Sequence, residues 1–417
     1  MTTTAPGRQA SMNLSEIREL VHVGRGGAPH GERALARCHS VGDLRRLARR
    51  RLPAAALGYL EGGGEDEWTM RRNRAAFGEV ELVPRVLRAV SRPDTATTVL
   101  GTPMPLPIAL APVGSPRMFH HEGELAVARA ARHAGLAYSV STLATQPLDA
   151  IAGAAQGSPL WFQLYLWGDR TAARELVARA RAGGYRALLL TADTAVRSKR
   201  ERELRYGIAL PAPELSLRTV ANGARHPAWA WHFLTSPALG FPNLSMHGPT
   251  SRQHLADMFD GTVGWPDLGW IRQEWDGPLA LKGVLSPGDA RRAADEGVDA
   301  IIVSNHGGRQ LDHAPAALEV LPGIADAVGD RVEVLFDSGI RRGTDIVTAL
   351  ALGARAVLVG RAHLYGLAAA GEAGVRHAID ILAGELRTTM ALCGAATLAD
   401  LDRSLVRPAR PGSRDPG

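Results

Sequence analysis

Residues 304–312 read Ser-Asn-His-Gly-Gly-Arg-Gln-Leu-Asp, which sets His306 and Arg309 three residues apart on a glycine-loosened stretch. A histidine titrates near neutrality and can take a proton from a substrate. A planar guanidinium can hold a carboxylate through two parallel hydrogen bonds. A base beside a carboxylate clamp points to proton abstraction from a small acid, and Asp193 is available to orient the imidazole and stabilise its protonated form. A second constellation suits an anion. Asp337-Ser338-Gly339-Ile340-Arg341-Arg342-Gly343 and Gly360-Arg361 combine small residues, which let backbone N–H groups approach a phosphate at a helix start, with arginines that supply charge. Lys282 is the third feature. Only it and Lys199 are lysines among 48 basic residues, so a lysine kept inside the apolar run 279–283 invites a chemical explanation.

These residues need elements to carry them. After Leu100, short apolar runs bounded by Gly, Pro or Asp alternate with segments of helical period, the pattern of βα units on a parallel sheet. The runs lie at 105–112, 136–142, 160–166, 187–193, 279–283, 299–305, 332–338 and 354–360. The helical segments lie at 122–134, 146–154, 169–183, 287–297, 315–328, 343–352 and 371–394. Eight strands alternating with helices predict an α/β fold, the (β/α)8 TIM barrel. A doubly wound open sheet shares the alternation but gathers its functional residues at one switch point. Here nearly every strand ends in a reactive or small residue: Gly114, Ser141, Gln163 with Tyr165, Asp193, Lys282, His306, Asp337 and Arg361. Barrel active sites sit at that C-terminal edge, which favours the barrel.

The 417-residue chain is 45% apolar and 22% charged, enough to bury a core and inconsistent with disorder. Residues 1–40, rich in Gly, Arg, Ser and Thr, read as a flexible arm, 41–406 as the barrel domain with a helical lead-in at 41–62, and 407–417 as a flexible tail. The apolar runs fall well short of the roughly 18 to 20 residues of a spanning helix, and the first forty residues carry no apolar core of a secretion signal, so a cytoplasmic protein is expected. The net charge of +6 is small for this length and comes without a nucleic-acid motif, which sets nucleic acid aside as a partner. Cys38 and Cys393 stand far apart with no metal-ligand spacing, so neither a disulfide nor a metal site is expected.

The segment 211–267 breaks the rhythm and reads as an insertion after strand four. Five of the eight tryptophans lie between Trp229 and Trp275, and Trp229, Trp231, Phe233, Leu234, Leu239 and Phe241 cluster near Arg225. Two readings stay open. One is an interfacial membrane contact through 225–241, anchored by Trp229, Trp231, Phe233 and Leu234 and helped by Arg218 and Arg225. The other is a lid or subunit contact that packs the same residues inward.

The sequence resembles the FMN-dependent (S)-2-hydroxy acid dehydrogenases and oxidases over about 42–406. The matching stretches are Gly63-Gly64-Glu65-Asp66-Glu67-Trp68-Thr69, Glu122-Gly123-Glu124, Trp161-Phe162-Gln163-Leu164-Tyr165, Thr191-Ala192-Asp193-Thr194, Leu281-Lys282-Gly283-Val284, residues 304–312 and Asp337-Ser338-Gly339-Ile340-Arg341-Arg342-Gly343. The 304–312 motif is highly specific. Within the family the chain is most similar to the bacterial quinone-linked L-lactate dehydrogenases, which also carry a long segment after strand four like His226-Pro227-Ala228-Trp229-Ala230-Trp231.

The resemblance implies non-covalent FMN and oxidation of an L-2-hydroxy acid, L-lactate above all, with electrons passed to a quinone. It makes His306 the base, Asp193 its partner, Arg309 and Arg200 the carboxylate clamp, and Tyr59 and Tyr165 hydrogen-bonding groups beside the substrate. Lys282 becomes the cation near flavin N1 and O2, where negative charge builds on reduction. Pro112, Val113 and Gly114 border the flavin, Ser141, Gln163 and Thr191 meet its ring system, and Ser304 lies in the ring's surroundings. Asp337 is assigned to the ribityl chain, and Gly339, Arg341, Gly360 and Arg361 to the ribityl and phosphate. A homo-tetramer, peripheral on the inner face of the cell membrane, is the implied assembly. Two departures from the family pattern stand out: Gly114 where many members have alanine, and Leu143 where glycolate oxidases have tryptophan. The rival readings are an oxidase that passes electrons to O2 and releases H2O2, and a non-catalytic FMN-binding barrel.

Overall fold

The computed structural model describes residues 30–168, 170–207, 216–244 and 261–409. Eight parallel strands form a closed barrel: β1 (Ile108–Leu110), β2 (Tyr138–Ser141), β3 (Leu160–Leu164), β4 (Ala187–Thr191), β5 (Leu279–Val284), β6 (Ala300–Val303), β7 (Glu333–Phe336) and β8 (Ala356–Val359). Neighbours in sequence pair in order, and β8 pairs with β1 to shut the ring. Helices outside and packed side chains inside bury both faces, so β1–β4, β6 and β8 are buried at every residue and read as continuous apolar runs. Each expected run holds one strand. The first is much shorter than its run, because Pro105, Pro107 and Pro112 have no N–H to give a ladder.

The outer helices follow the expected segments, with two differences. The lead-in expected over 41–62 is two helices, Val41–Arg51 and Ala54–Glu61, since Pro53 forces Leu52 into extended backbone at φ −91° and ψ 138°. The last expected helix, 371–394, is the second limb of Arg361–Leu392, which breaks at Ala370 and Gly371; the limb before the break is an addition. Gly371 sits at φ +58°, a left-handed conformation that glycine adopts without strain. The first limb is buried along its length, and such a helix lacks the polar stripe that would have revealed its period.

The barrel's N-terminal mouth is covered by a hairpin, Thr97–Val99 with Thr102–Met104, to which Trp161 of β3 donates a hydrogen bond at Thr102 Oγ1 (3.3 Å). The C-terminal edge is left for chemistry. Val80–Leu82 pairs with Val406–Pro408, tying the two ends of the domain together. Of the arm expected over 1–40, residues 1–29 lie outside the described residues. From His30 the chain forms a helix, His30–Ala36, and Leu35 and Cys38 are buried in the core. Residues 410–417 of the expected tail also lie outside the described residues.

Candidate active site

Strand β6 ends at Val303, and the loop after it is wound tightly. His306, Gly307 and Gly308 have φ of +58°, +66° and +74°. A Cβ on Gly308 would sit 2.5 Å from the Met70 backbone, so only glycine lets the loop press against the helix Trp68–Ala75. Ser304 Oγ accepts the His306 N–H at 3.0 Å. This winding turns the imidazole toward the end of β4, where His306 Nδ1 meets Asp193 Oδ1 at 2.9 Å. Nδ1 is therefore the donor, and Nε2 offers its lone pair toward the cavity, 3.4 Å from Tyr165 Oη. Asp193 is pressed in place by β5: a Cβ on Gly283 would lie 2.7 Å from its carboxyl carbon.

The electrostatics suit a base. Burial pushes the His306 imidazole below its ordinary value, and the neighbouring Asp193 charge and hydrogen bond only partly restore it. The ring is neutral at neutral pH and free to accept a proton. Burial acts to raise the Asp193 carboxyl, but the charge and hydrogen bond of His306, with Lys282 behind, hold it below the usual carboxylate range. Among the described residues Asp193 Oδ2 is buried without a hydrogen-bond partner, which leaves His306 as the carboxylate's side-chain contact at Oδ1.

Arg309 and Arg200 converge on the same space. Arg309 Nη1 donates to the carbonyls of Tyr59 (2.9 Å) and Gly62 (2.8 Å), its Nη2 donates to Glu203 Oε1 (2.8 Å), and its guanidinium lies 5.0 Å from the centre of the Tyr59 ring. Arg200 donates from Nε to Arg309 O and from Nη2 to Gln310 Oε1. A guanidinium has five N–H donors, so each arginine keeps donors for a ligand carboxylate after the protein's own bonds are made. Glu203 is 1% exposed and also faces Arg200 at 3.7 Å and Arg197 at 4.0 Å. Sequence reasoning did not single it out, although its place three residues after Arg200 on a short helix, Glu201–Arg205, is the signal that could have found it.

A polar ladder crosses the barrel edge. Ser141 Oγ donates to Gln163 Oε1 (2.9 Å) and Gln163 Nε2 donates to Thr191 Oγ1 (2.9 Å), while Thr191 is in register with Lys282. Lys282 Nζ is 2.7 Å from both Ser304 Oγ and Asp337 Oδ2. Tyr59, Tyr165, Arg200, His306 and Arg309 line one cavity together with Pro112, Val113, Gly114, Gln163, Thr191, Lys282, Asp337, Gly339, Arg341, Gly360 and Arg361. The cavity encloses about 1380 Å³ with its open mouth. Ser141, Ser304 and Asp193 stand behind this lining, each bonded to a residue of it. Leu143 and Phe119, Arg197 and Thr194 also reach the cavity.

The cavity fits FMN. At the β7 and β8 ends Arg341 and Arg361 are half-buried, and among the described residues their guanidinium groups bond to carbonyls, Ile340 O for Arg341 and Leu60 O, Gly307 O and Gly62 O for Arg361, and to the Tyr365 hydroxyl in the case of Arg341. Burial, then the nearby Arg309 charge, pushes the Arg361 guanidinium down to about 9. Two half-buried cations whose guanidinium groups bond to no carboxylate among the described residues suit an anionic ligand, and a phosphate supplies one. Farther along, the amide of Gln163 and the hydroxyl of Thr191 suit a polar heterocycle, and Lys282 suits developing negative charge.

The insertion divides its side chains. Trp229 is half-buried, donates from Nε1 to Met118 O (2.9 Å) and stacks on Phe233 at 4.7 Å, which holds the helix Pro227–Thr235 against the barrel. Trp231, Phe233 and Leu234 are 67%, 42% and 79% exposed. Trp229 is thus the one anchor candidate that turns inward, because its indole N–H finds a buried carbonyl. Leu239 packs inward, as does Phe241, which is buried with Leu143 and Tyr165 beside it. The side chain of Arg218 and residues 208–215 and 245–260 lie outside the described residues. Where no metal was expected, His120, His121 and Glu122 bring potential ligand atoms within 4.8 Å of one another, with Glu122 engaged by Arg129.

Comparisons with known proteins agree with this geometry. The family model for FMN-dependent dehydrogenases matches residues 48–408. An L-lactate dehydrogenase of Caulobacter vibrioides is 44% identical over 377 residues, 88% of this chain and 97% of that one. Among solved structures, a monotopic membrane protein, (S)-mandelate dehydrogenase, superposes with a TM-score of 0.85 at 38% identity, covering 89% of this chain and all of its own. A mandelate oxidase bound to (S)-4-hydroxymandelic acid superposes with a TM-score of 0.78 at 39% identity, covering 89% of this chain and 99% of its own. With its eight-stranded barrel and its cavity suited to the flavin, the chain belongs to the family of FMN-dependent dehydrogenases.

Proposed function

We propose that this enzyme oxidises a small L-2-hydroxy acid, L-lactate above all, to the 2-oxo acid and passes the electrons to a quinone. The observation that carries the reading is one cavity in which a neutral His306, backed by Asp193, faces donors of Arg309 and Arg200. Arg309 and Arg200 hold the substrate carboxylate, and the Tyr59 and Tyr165 hydroxyls border the carbon that reacts. His306 Nε2 takes a proton, and Asp193 stabilises the imidazolium that results. Tyr165 stays protonated throughout, since burial and then the Asp193 charge raise its phenol well above the ordinary value. FMN, held by Gln163, Thr191, Lys282, Asp337, Arg341 and Arg361, supplies the two-electron acceptor. The substrate loses two electrons and two protons in all, and the alcohol carbon becomes a carbonyl.

L-lactate is favoured by the relatives named L-lactate dehydrogenase, 42–44% identical across most of the chain. The test is anaerobic addition of L-lactate to the FMN-loaded enzyme, with the flavin absorbance followed. Bleaching by L-lactate and not by D-lactate is expected; an unchanged spectrum overturns the reading. Reoxidation by air at the rate given by a soluble short-chain quinone would favour the oxidase instead.

The acceptor reading extends to the insertion. No helix of the described residues is long and apolar enough to cross a membrane. The exposed Trp231, Phe233 and Leu234, with exposed Arg225 nearby, instead suit a contact with the inner face of a bilayer, where a lipid-soluble quinone resides. A Trp231→Ser/Leu234→Ser variant is expected to lose vesicle co-sedimentation while keeping activity with a water-soluble dye. Equal sedimentation refutes docking through this face. Self-association into a tetramer belongs to the same reading and is read by light scattering.

A further inference from the structure

Beside the flavin cavity lies a second one, of about 1220 Å³ with its mouth, and Phe119 lines both. Four separate parts of the chain build it: the end of the helix Val41–Arg51, the segment 117–121, the insertion over 225–239 with its helix Pro227–Thr235, and Ala368 of the last helix. Among the described residues its lining holds Arg50, Arg51, Arg117 and Arg225 and no Asp or Glu, and Glu122, next to His121, is paired with Arg129. Arg117 donates to the carbonyls of His121 and Pro237 and to no carboxylate among the described residues. Four cations face one space with no carboxylate in its wall among the described residues.

Histidines add to the imbalance. His121 stacks on His232 at 4.1 Å and lies against His120 at 4.4 Å. These imidazole rings offer N–H donors beside the guanidinium groups. The remaining wall is mostly apolar, with Phe119, Trp229, Phe233 and Leu239 beside His226 and Ser236, and the exposed face of Trp231 and Leu234 belongs to the same insertion helix.

We propose that this cavity binds the phosphate of an anionic phospholipid headgroup while the exposed face of the insertion helix enters the lipid. Cations without carboxylates, ring N–H donors and an aromatic wall together match a phosphate diester joined to acyl chains. The proposal rests on the docking reading above and adds to it a headgroup preference built partly outside the insertion. Arg50 and Arg51 come from the N-terminal helix, so they test the headgroup site without touching the apolar contact.

The experiment is co-sedimentation of the FMN-loaded protein with vesicles of phosphatidylcholine alone or with 30% (about one lipid in three, enough to set a negative surface) phosphatidylglycerol. Wild type is expected to bind the anionic vesicles more tightly. Arg50→Gln/Arg51→Gln should lose roughly thirtyfold of that affinity at near 1 kcal/mol per cation, and keep its binding to neutral vesicles. An Arg291→Gln/Arg387→Gln control, with the same charge removed outside the cavity, should lose far less. Short-chain phosphatidylglycerol below its micellar concentration should also raise the melting temperature of wild type but not of Arg50→Gln/Arg51→Gln. Equal losses in the two double variants would overturn the cavity in favour of diffuse surface charge. Inorganic phosphate stabilising as well as the short-chain lipid would overturn the lipid source and leave a free-anion site. Failure to bind either kind of vesicle would overturn the docking reading itself, whereas equal binding to both would spare docking and remove the headgroup site.

Discussion

Glu203 Oε1 accepts a hydrogen bond from Arg309 Nη2 at 2.8 Å, so a guanidinium of the substrate cavity is steadied by a carboxylate that the protein itself supplies. Arg309 and Arg200 repel each other at close quarters, and Glu203, itself almost fully buried, offsets that repulsion.

Glu203→Gln is therefore expected to cost stability. Breaking a buried pair on one side typically costs about 3–5 kcal/mol. A ligand carboxylate would then replace the lost charge, so adding oxalate or the substrate analogue should raise the melting temperature more in the variant than in wild type. Equal ligand-induced shifts would show that Glu203 does not set the charge balance of the clamp.

His306→Gln is expected to retain FMN and to lose turnover by roughly 10²–10⁴-fold, the range for a general base. Its pH dependence follows from the depressed imidazole. The neutral form is the active one, so kcat/KM should rise with pH through a midpoint below 6.5 and level off near neutrality. Asp193 raises the His306 value, so Asp193→Asn should move that midpoint to still lower pH while dropping the plateau. A midpoint that moves up would contradict the dyad.

Leu143 and Gly114 abut in the cavity wall: a Cβ on Gly114 would lie 3.1 Å from Leu143 Cβ and 3.4 Å from Tyr59 Oη. Gly114→Ala needs Leu143 to yield by a few tenths of an ångström, and a raised KM is expected. Leu143→Ala opens the space and should raise the ratio of kcat/KM for mandelate over lactate by about tenfold, in line with the 1–3 kcal/mol attached to a small apolar group in a pocket. An unchanged ratio would place the substrate side chain elsewhere.

Lys282 and Asp337 form a pair at 2.7 Å with both side chains nearly buried. Lys282→Met should weaken FMN retention and lower the melting temperature, because it strands the Asp337 carboxylate. Adding Asp337→Asn should recover part of the stability lost in the single variant, and a double-mutant cycle read by thermal unfolding with and without FMN measures the coupling. Strict additivity would mean that the pair is not coupled.

The sequence by itself determined the barrel, because β strands buried on both faces appear as apolar runs and strand-end polar residues recur at one edge. It also marked His306, Arg309, Asp193, Lys282 and the two arginines at the β7 and β8 ends, whose chemistry is unusual for their positions. Tertiary structure alone decided the rest. Glu203 looked like one charge among many until folding brought it 2.8 Å from Arg309, 106 residues away. The inward turn of Trp229 against the outward Trp231 depends on a carbonyl, Met118 O, that lies 111 residues off in the chain. The buried helix limb before Gly371 carries no polar stripe, so no period marks it. The second cavity assembles arginines and histidines from three distant segments. Periodicity and residue type report local environment; charge balance and burial between distant segments are set only when the chain closes on itself.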